Sequence, residues 1–247
     1  MKKILVAATT AAMLFSLVHA ESTSHANASQ EKHWDYAKNG PTHWGEFSKT
    51  CSEGRAQSPI NILPGKSVTI DPKDVIRLDD DVDSVATVID NGHSIKVTPK
   101  KGGRTIFRGE PYHLLQFHFH GKSEHTVNSK RYDMVAHYVH KNLNTGDLLV
   151  VAVFFEEGKN NPTLDTIINN VGKEITISPR DLAPKERKHF YHYVGSLTTP
   201  PCSENVQWFL LKNPAQASKE QIAAFRKYYV DNKRPIQELN DRKVEAY

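Results

Sequence analysis

Gln116-Phe117-His118-Phe119-His120 is followed four residues later by Glu124 and, past a turn, by His137. Side chains of an extended strand alternate faces, so Gln116, His118 and His120 point one way while Phe117 and Phe119 point the other. Two strand positions span roughly 6.6 Å of backbone, and two imidazoles can close that gap around one ion at about 2.0–2.1 Å. Tyr132 to His140 repeats the period of two, which places Val135, His137 and Val139 on one face. Alone, His137 reads more readily as a core histidine satisfied by a hydrogen bond. Beside His118 and His120 it reads as a third ligand. Three imidazoles without a fourth protein ligand describe a catalytic zinc site, whose open tetrahedral position holds water.

The flanking sequence is β-rich. Ser94 to Thr98 alternates polar and apolar residues, Lys101-Gly102-Gly103 offers a turn, and Arg104 to Phe107 returns, a pattern that predicts a hairpin. Leu148 to Phe155 is continuously apolar and predicts a strand buried on both faces. Val206 to Leu211 is a further strand. Helices are few. One follows Pro162, with Leu164, Ile167 and Ile168 on its apolar face, and ends near Gly172. Another starts at Ser218, where Gln221 completes a capping box and Ile222 and Phe225 turn inward.

Residues 1–20 read as a secretory signal: Met1-Lys2-Lys3, an apolar run from Ile4 to Val18, and a small residue at Ala20. A second small-residue pattern, Ala26-Asn27-Ala28, falls in a polar leader spanning 21–30. No later segment reaches about 20 continuous apolar residues, so no membrane anchor is expected and the protein is read as exported, periplasmic or secreted. The remaining residues, 31–247, suit one domain. Without Lys2 and Lys3 the chain has 30 basic against 28 acidic residues, interleaved along its length. That balance argues against a nucleic acid partner. Two cysteines, Cys51 and Cys202, in an exported chain predict a disulfide rather than two separate thiols.

His118-x-His120 with Glu124 and a later His also resembles the first cupin motif, which binds iron or manganese. That motif wants a Gly seven residues beyond its Glu, where this chain has Arg131, and a Pro-x-Gly turn before the last His, which is missing. A cupin-like oxygenase or isomerase is therefore a minor alternative.

A second resemblance covers nearly all of residues 31–247. Gln116-Phe117-His118-Phe119-His120, Ser123-Glu124-His125-Thr126-Val127, His137-Tyr138-Val139-His140 and Gly195-Ser196-Leu197-Thr198-Thr199-Pro200-Pro201-Cys202 resemble the α-class carbonic anhydrases, in that family's order. So do His33-Trp34-Asp35-Tyr36, Asn39-Gly40-Pro41, Gln57-Ser58-Pro59-Ile60-Asn61-Ile62, Asn91-Gly92-His93 and Asn232-Lys233-Arg234-Pro235. The resemblance implies a mainly β, single-domain fold on a large, twisted, mostly antiparallel central sheet with a few short peripheral helices. It implies reversible hydration of carbon dioxide to bicarbonate and a proton, with weak esterase activity as in relatives, and it admits a homodimer.

The implied roles follow residue by residue. His118, His120 and His137 hold Zn2+, which supplies hydroxide at neutral pH. Thr198 accepts the hydroxide's hydrogen bond while donating its own to Glu124, and Thr199 contacts bicarbonate. Val139, Val150, Leu197, Val206 and Trp208 form a dry patch for the apolar substrate. His93 shuttles protons, with Tyr36 and Asn91 ordering the intervening water and the charge of Lys96 depressing its pKa. Gln116 and a carbonyl near Asn232 partner the first two ligands, and Cys51 with Cys202 tethers the loop after Thr198. One departure stands out: many relatives place a Glu two residues before the third ligand, where this chain has Val135. Loss of such a partner costs about 10–100-fold in affinity or activity. Some relatives keep the fold as binding or adhesion proteins after losing a zinc histidine, but all three are present in this chain.

Overall fold

Glu110–His120 forms the long strand that the alternation around His118 predicts. The fold is that of a computed structural model, which describes residues 33–70, 76–79 and 82–247. The expected signal at 1–20 and the leader at 21–30 lie outside the described residues. Among those residues thirteen strands join one mixed sheet, with nine antiparallel pairings and three parallel ones. Glu110–His120 pairs antiparallel with Met134–Lys141, which pairs antiparallel with Leu148–Glu157, which in turn runs parallel to Glu204–Leu211. His33–Tyr247 make one compact unit.

The sheet is packed on both faces, and Leu148–Glu157 shows why. Leu149, Val151, Val153 and Phe155 enter one apolar cluster together with Phe117, Phe119, Phe209 and the helix residues Leu164, Ile167, Ile222 and Phe225. Val150, Ala152 and Phe154 enter a second, with Val135, Val206, Trp208 and Leu210. Seven consecutive residues, Leu149 to Phe155, are buried, as a continuous apolar run requires when both faces are covered. A third, smaller cluster joins Trp44 to Cys51 and Cys202.

Both predicted helices form. Asn161 caps Pro162–Ile168 by accepting from the N–H groups of Thr163 and Leu164, and Ser218 with Gln221 closes the capping box of Lys219–Arg226. No helix among the described residues is long and apolar enough to cross a membrane.

The predicted hairpin does not form. Ile95–Pro99 pairs with Ser84–Asp90 and with the far end of Glu110–His120, whereas Arg104–Phe107 pairs with Ile76–Asp79 and with the near end of that strand. The true hairpin turn is Arg108-Gly109, where φ is positive at both residues, 51° and 83°; that backbone suits the right-handed twist of a two-residue hairpin. Lys101-Gly102-Gly103 instead passes against the long strand. A Cβ on Gly102 would lie 2.1 Å from the Leu114 carbonyl oxygen. Gly102→Ala is therefore expected to cost about 1–3 kcal/mol. At about 2–4 °C per kcal/mol for a chain of this size, calorimetry should show melting lowered by roughly 2–12 °C.

Candidate metal centre

His118 and His137 face each other across adjacent strands as a Cα pair, and Ala152 sits opposite His137 on the other side. The register of Glu110–His120 shifts between Leu114 and Gln116. This bulge resets the phase, so that Tyr112, Leu114, Phe117 and Phe119 all reach the first core cluster while Gln116, His118 and His120 share the opposite face. The ring centroids are 5.3 Å apart for His118 and His120, 5.5 Å for His118 and His137, and 4.8 Å for His120 and His137. One nitrogen from each ring lies within 4.8 Å of the other two. His120 and His137 are each 1% exposed, so neither nitrogen set is satisfied by bulk water.

The outer partners fix the tautomers. His118 Nδ1 donates to Gln116 Oε1 at 2.9 Å, and His120 Nδ1 donates to the Asn232 carbonyl oxygen. In each ring the acceptor draws the proton to Nδ1 and leaves a lone pair on Nε2. Asn232 does more than the resemblance implies. Its side-chain amide donates to the carbonyls of His93 and Phe119, and its Oδ1 accepts from Gly121 N–H. Burial pushes the His118 pKa down to about 3, helped by His120 and Lys96, and burial with the neighbouring imidazoles holds His137 well below its usual value. His118 and His137 are thereby held neutral at ordinary pH, the state in which imidazole binds a metal.

Glu124 is fully buried. Its Oε1 accepts the backbone N–H of Arg234 at 2.7 Å. Its Oε2 lies 3.4 Å from His120 Nε2 and 3.8 Å from His137 Nδ1, with no hydrogen-bond partner. The expected bond from Thr198 to this oxygen is therefore not made; the carboxylate turns toward the ring nitrogens. Thr198 is 5% exposed and begins the loop in which the Thr199 carbonyl accepts from Cys202 N–H.

The five residues expected to line a dry patch do come together. Val150, Val206 and Trp208 are buried members of the second cluster, and Val139 and Leu197 pack against it. Trp208 also meets the His137 ring at 4.9 Å between centroids.

His93 sits in a turn shaped by Asn91, whose Oδ1 accepts from the N–H groups of His93 and Ser94. Burial lowers its pKa, followed by His33; Asp35 and Asp90 oppose them. Lys96 has no part in that shift. It pairs across the strand with His118, and the charge acts there. Tyr36 packs on Trp34 and Trp44, and burial with Glu124 nearby raises its pKa well above the ordinary value.

Several contributors escaped the sequence reading. The Arg234 guanidinium is 3% exposed and bonds Gln57 Oε1 and the carbonyls of Ser58 and Cys51, locking the C-terminal segment to the N-terminal one. His125 Nε2 meets Tyr193 Oη at 2.6 Å, and Tyr193 Oη meets Ser58 Oγ at 2.6 Å. These pairs are separated by 68 to 183 residues, and no local pattern announces them. Cys51 and Cys202 do form the expected disulfide.

The donor set fits a metal ion. His120 Nε2 and Glu124 Oε2, which face each other, are buried without hydrogen-bond partners, a cost of about 1–3 kcal/mol per group that a protein interior normally avoids. Three imidazoles are the donor set of a nitrogen-preferring ion such as zinc rather than of calcium or magnesium, which prefer oxygen ligands.

A sequence model of the eukaryotic-type carbonic anhydrases matches residues 39–247. The chain belongs to that family. It is 39% identical over 241 residues to a carbonic anhydrase of Nostoc sp., covering 90% of this chain and 88% of that one. A carbonic anhydrase of Neisseria gonorrhoeae is 37% identical over 255 residues, with 95% of each covered. Among solved structures, the α-carbonic anhydrase of Thermovibrio ammonificans in complex with the inhibitor sulfanilamide superposes with a TM-score of 0.79 at 41% identity, over 86% of this chain and 98% of that one. The α-carbonic anhydrase of Photobacterium profundum gives 0.80 at 35% identity, over 86% and 100%. As a carbonic anhydrase the chain carries the family's large mixed sheet, with the three histidines on its two central strands.

Proposed function

We propose that the protein hydrates carbon dioxide reversibly to bicarbonate and a proton, using zinc held by His118, His120 and His137. The observation that carries this reading is the convergence of three imidazoles beside an apolar wall. When bound, zinc supplies a water acidified to near pKa 7, the value established for carbonic anhydrases in general. Gln116 and Asn232 hold two of the rings in the ligating tautomer. Glu124, anchored by Arg234 N–H, keeps Oε2 free beside the rings, and Thr198 is the hydroxyl that would align the attacking oxygen. Val139, Val150, Leu197, Val206 and Trp208 exclude water and receive the apolar substrate, and Thr199 contacts the bicarbonate product. His93 carries the proton away. Weak ester hydrolysis at the same centre is a side activity of this reading. The disulfide supports an exported protein, periplasmic or secreted.

Stopped-flow hydration of carbon dioxide by the zinc-loaded protein tests the proposal directly, with His118→Ala as control. Turnover no faster than the buffer, or equal in the control, overturns it.

Val135 stands where the resemblance implies a Glu. Gln116 bonds His118 from two residues upstream, and Val135 stands at the same offset from His137, whose Nε2 is buried and unpartnered. Val135→Glu is expected to slow zinc loss to a chelator by about 10–100-fold. Equal or faster loss would show that the third ligand needs no such partner.

A further inference from the structure

His33 and His93 lie sixty positions apart in sequence, yet their Nε2 atoms are 2.8 Å apart. At that separation one nitrogen carries a proton and the other offers a lone pair, so a single proton lies between the rings. Both partners are held in place. The His93 ring stacks on Trp34 at 3.7 Å between centroids and 12° between planes, and Trp34 is braced edge-on by Trp44 at 5.3 Å. Asn39 Nδ2 donates to the His33 carbonyl at 2.8 Å, and Asn91 with Asn232 grips the His93 backbone from both sides. The two rings differ in surroundings. His33 is exposed and His93 half-buried, and His93 Nδ1 is buried with no partner.

We propose that His33 is the outer station of the proton path, taking the proton from His93 and passing it to buffer. The inference rests on His93 acting as the shuttle. A proton arriving from within forms an N–H bond at His93 Nδ1. The His93 Nε2–H bond breaks as His33 Nε2–H forms, and His33 Nδ1–H is lost to a buffer base in solution. Before the next cycle each ring regains its starting tautomer by exchange with water, losing the proton on one nitrogen and gaining one on the other, and the hydration equilibrium can drive the same steps in reverse.

The charged surroundings suit a transfer in both directions. Asp35 and Asp90 face His93 and favour its cation, whereas burial and the His33 ring disfavour it. Both aspartates are fixed: Asp35 Oδ1 accepts from Ala37 and Asn39 N–H, and Asp90 Oδ1 accepts from Gly92 N–H and the Tyr229 hydroxyl. The shared hydrogen bond and the two carboxylates beside His93 give an excess proton a path between the imidazoles.

The test uses the full zinc-loaded chain in stopped-flow hydration at low and high buffer concentration, comparing His33→Gln and His93→Ala with the parent. Glutamine keeps a hydrogen-bonding group but cannot pass a proton through itself. At low buffer, kcat of His33→Gln should fall by about tenfold, below the 10²–10⁴-fold typical of a positioned proton-transfer group because His93 can still reach water. Its kcat/KM should hold, and added imidazole should restore kcat. In NMR titrations, the His93 midpoint should move up in His33→Gln, since the influence of the His33 ring that lowers it is gone. Unchanged or higher kcat would make His33 a tether or a brake and overturn the proposal, and so would a parallel fall in kcat/KM. If His93→Ala itself leaves the low-buffer kcat intact, the shuttle reading fails first, and that outcome is distinct from failure at His33 alone.

Discussion

His120→Ala is expected to erase the zinc-dependent rise in melting temperature and carbon dioxide hydration together. A ligand that binds only the folded state stabilises it by about 4.1 kcal/mol at a thousandfold excess over Kd. For a chain of this size that corresponds to roughly 8–16 °C. His120 has the most completely built surroundings of the three rings: 1% exposed, its Nδ1 fixed by Asn232, its Nε2 beside Glu124 Oε2. With alanine in its place two rings remain, and Glu124 faces a gap. Zinc should then shift melting by less than about 2 °C, and hydration should fall by more than the 10–100-fold that loss of an outer partner costs. Scanning calorimetry with and without zinc reads the first effect. A shift within a few degrees of the parent's would remove His120 from the ligand set. Metal-free melting supplies the control, since a simple packing defect lowers it without touching the zinc increment.

The double substitution Cys51→Ser with Cys202→Ser carries the second large effect. The bond closes a loop between residues 151 positions apart. The chain-entropy estimate for such a loop is about 5 kcal/mol, at the upper end of the 2–5 kcal/mol typical for removing a native disulfide. Melting should fall by roughly 10–20 °C, and the parent should behave alike once reduced. Local structure resists part of this, because Ser48 Oγ donates to the Pro201 carbonyl, Gln57 Nε2 to the Cys202 carbonyl and Arg234 Nη2 to the Cys51 carbonyl. Those bonds tie the loop of Thr198 and Thr199 to the N-terminal region but close no covalent loop in the unfolded chain. A loss under about 3 °C would mean that the reduced, unfolded chain is already compact.

Local rules explain what the sequence made legible. Alternation at Gln116 to His120 depends only on strand geometry, and the paired rings appear where it places them. The two helix caps are equally local, each built from residues three apart or fewer. The continuous apolar run at Leu148 to Phe155 needs no partner to be read as a strand covered on both sides. The failure at the hairpin is a matter of pairing. Arg104–Phe107 reads as a return strand, yet its neighbours are set by the Arg108-Gly109 turn and by Gly102 lying against Leu114, neither of which hydrophobic period encodes. The same holds at the centre. Arg234 and His33 act on residues 110 and 60 positions away, so their chemistry is invisible until the sheet is assembled. Thr198 was read through resemblance as a donor to Glu124, and the burial of that carboxylate against two imidazoles places its free oxygen elsewhere.

Asn232 gives the centre a schedule. It holds the His120 ring, the His93 backbone and the chain at Gly121, and Arg234 just beyond it anchors Glu124. Asn232 lies 95 positions beyond His137 (232 − 137). A polypeptide emerging during synthesis therefore carries all three histidines long before it carries the residues that orient them. The oriented centre waits on synthesis through Asn232 and Arg234, and a message truncated a few codons before Asn232 would yield a protein with every ligand and no built centre.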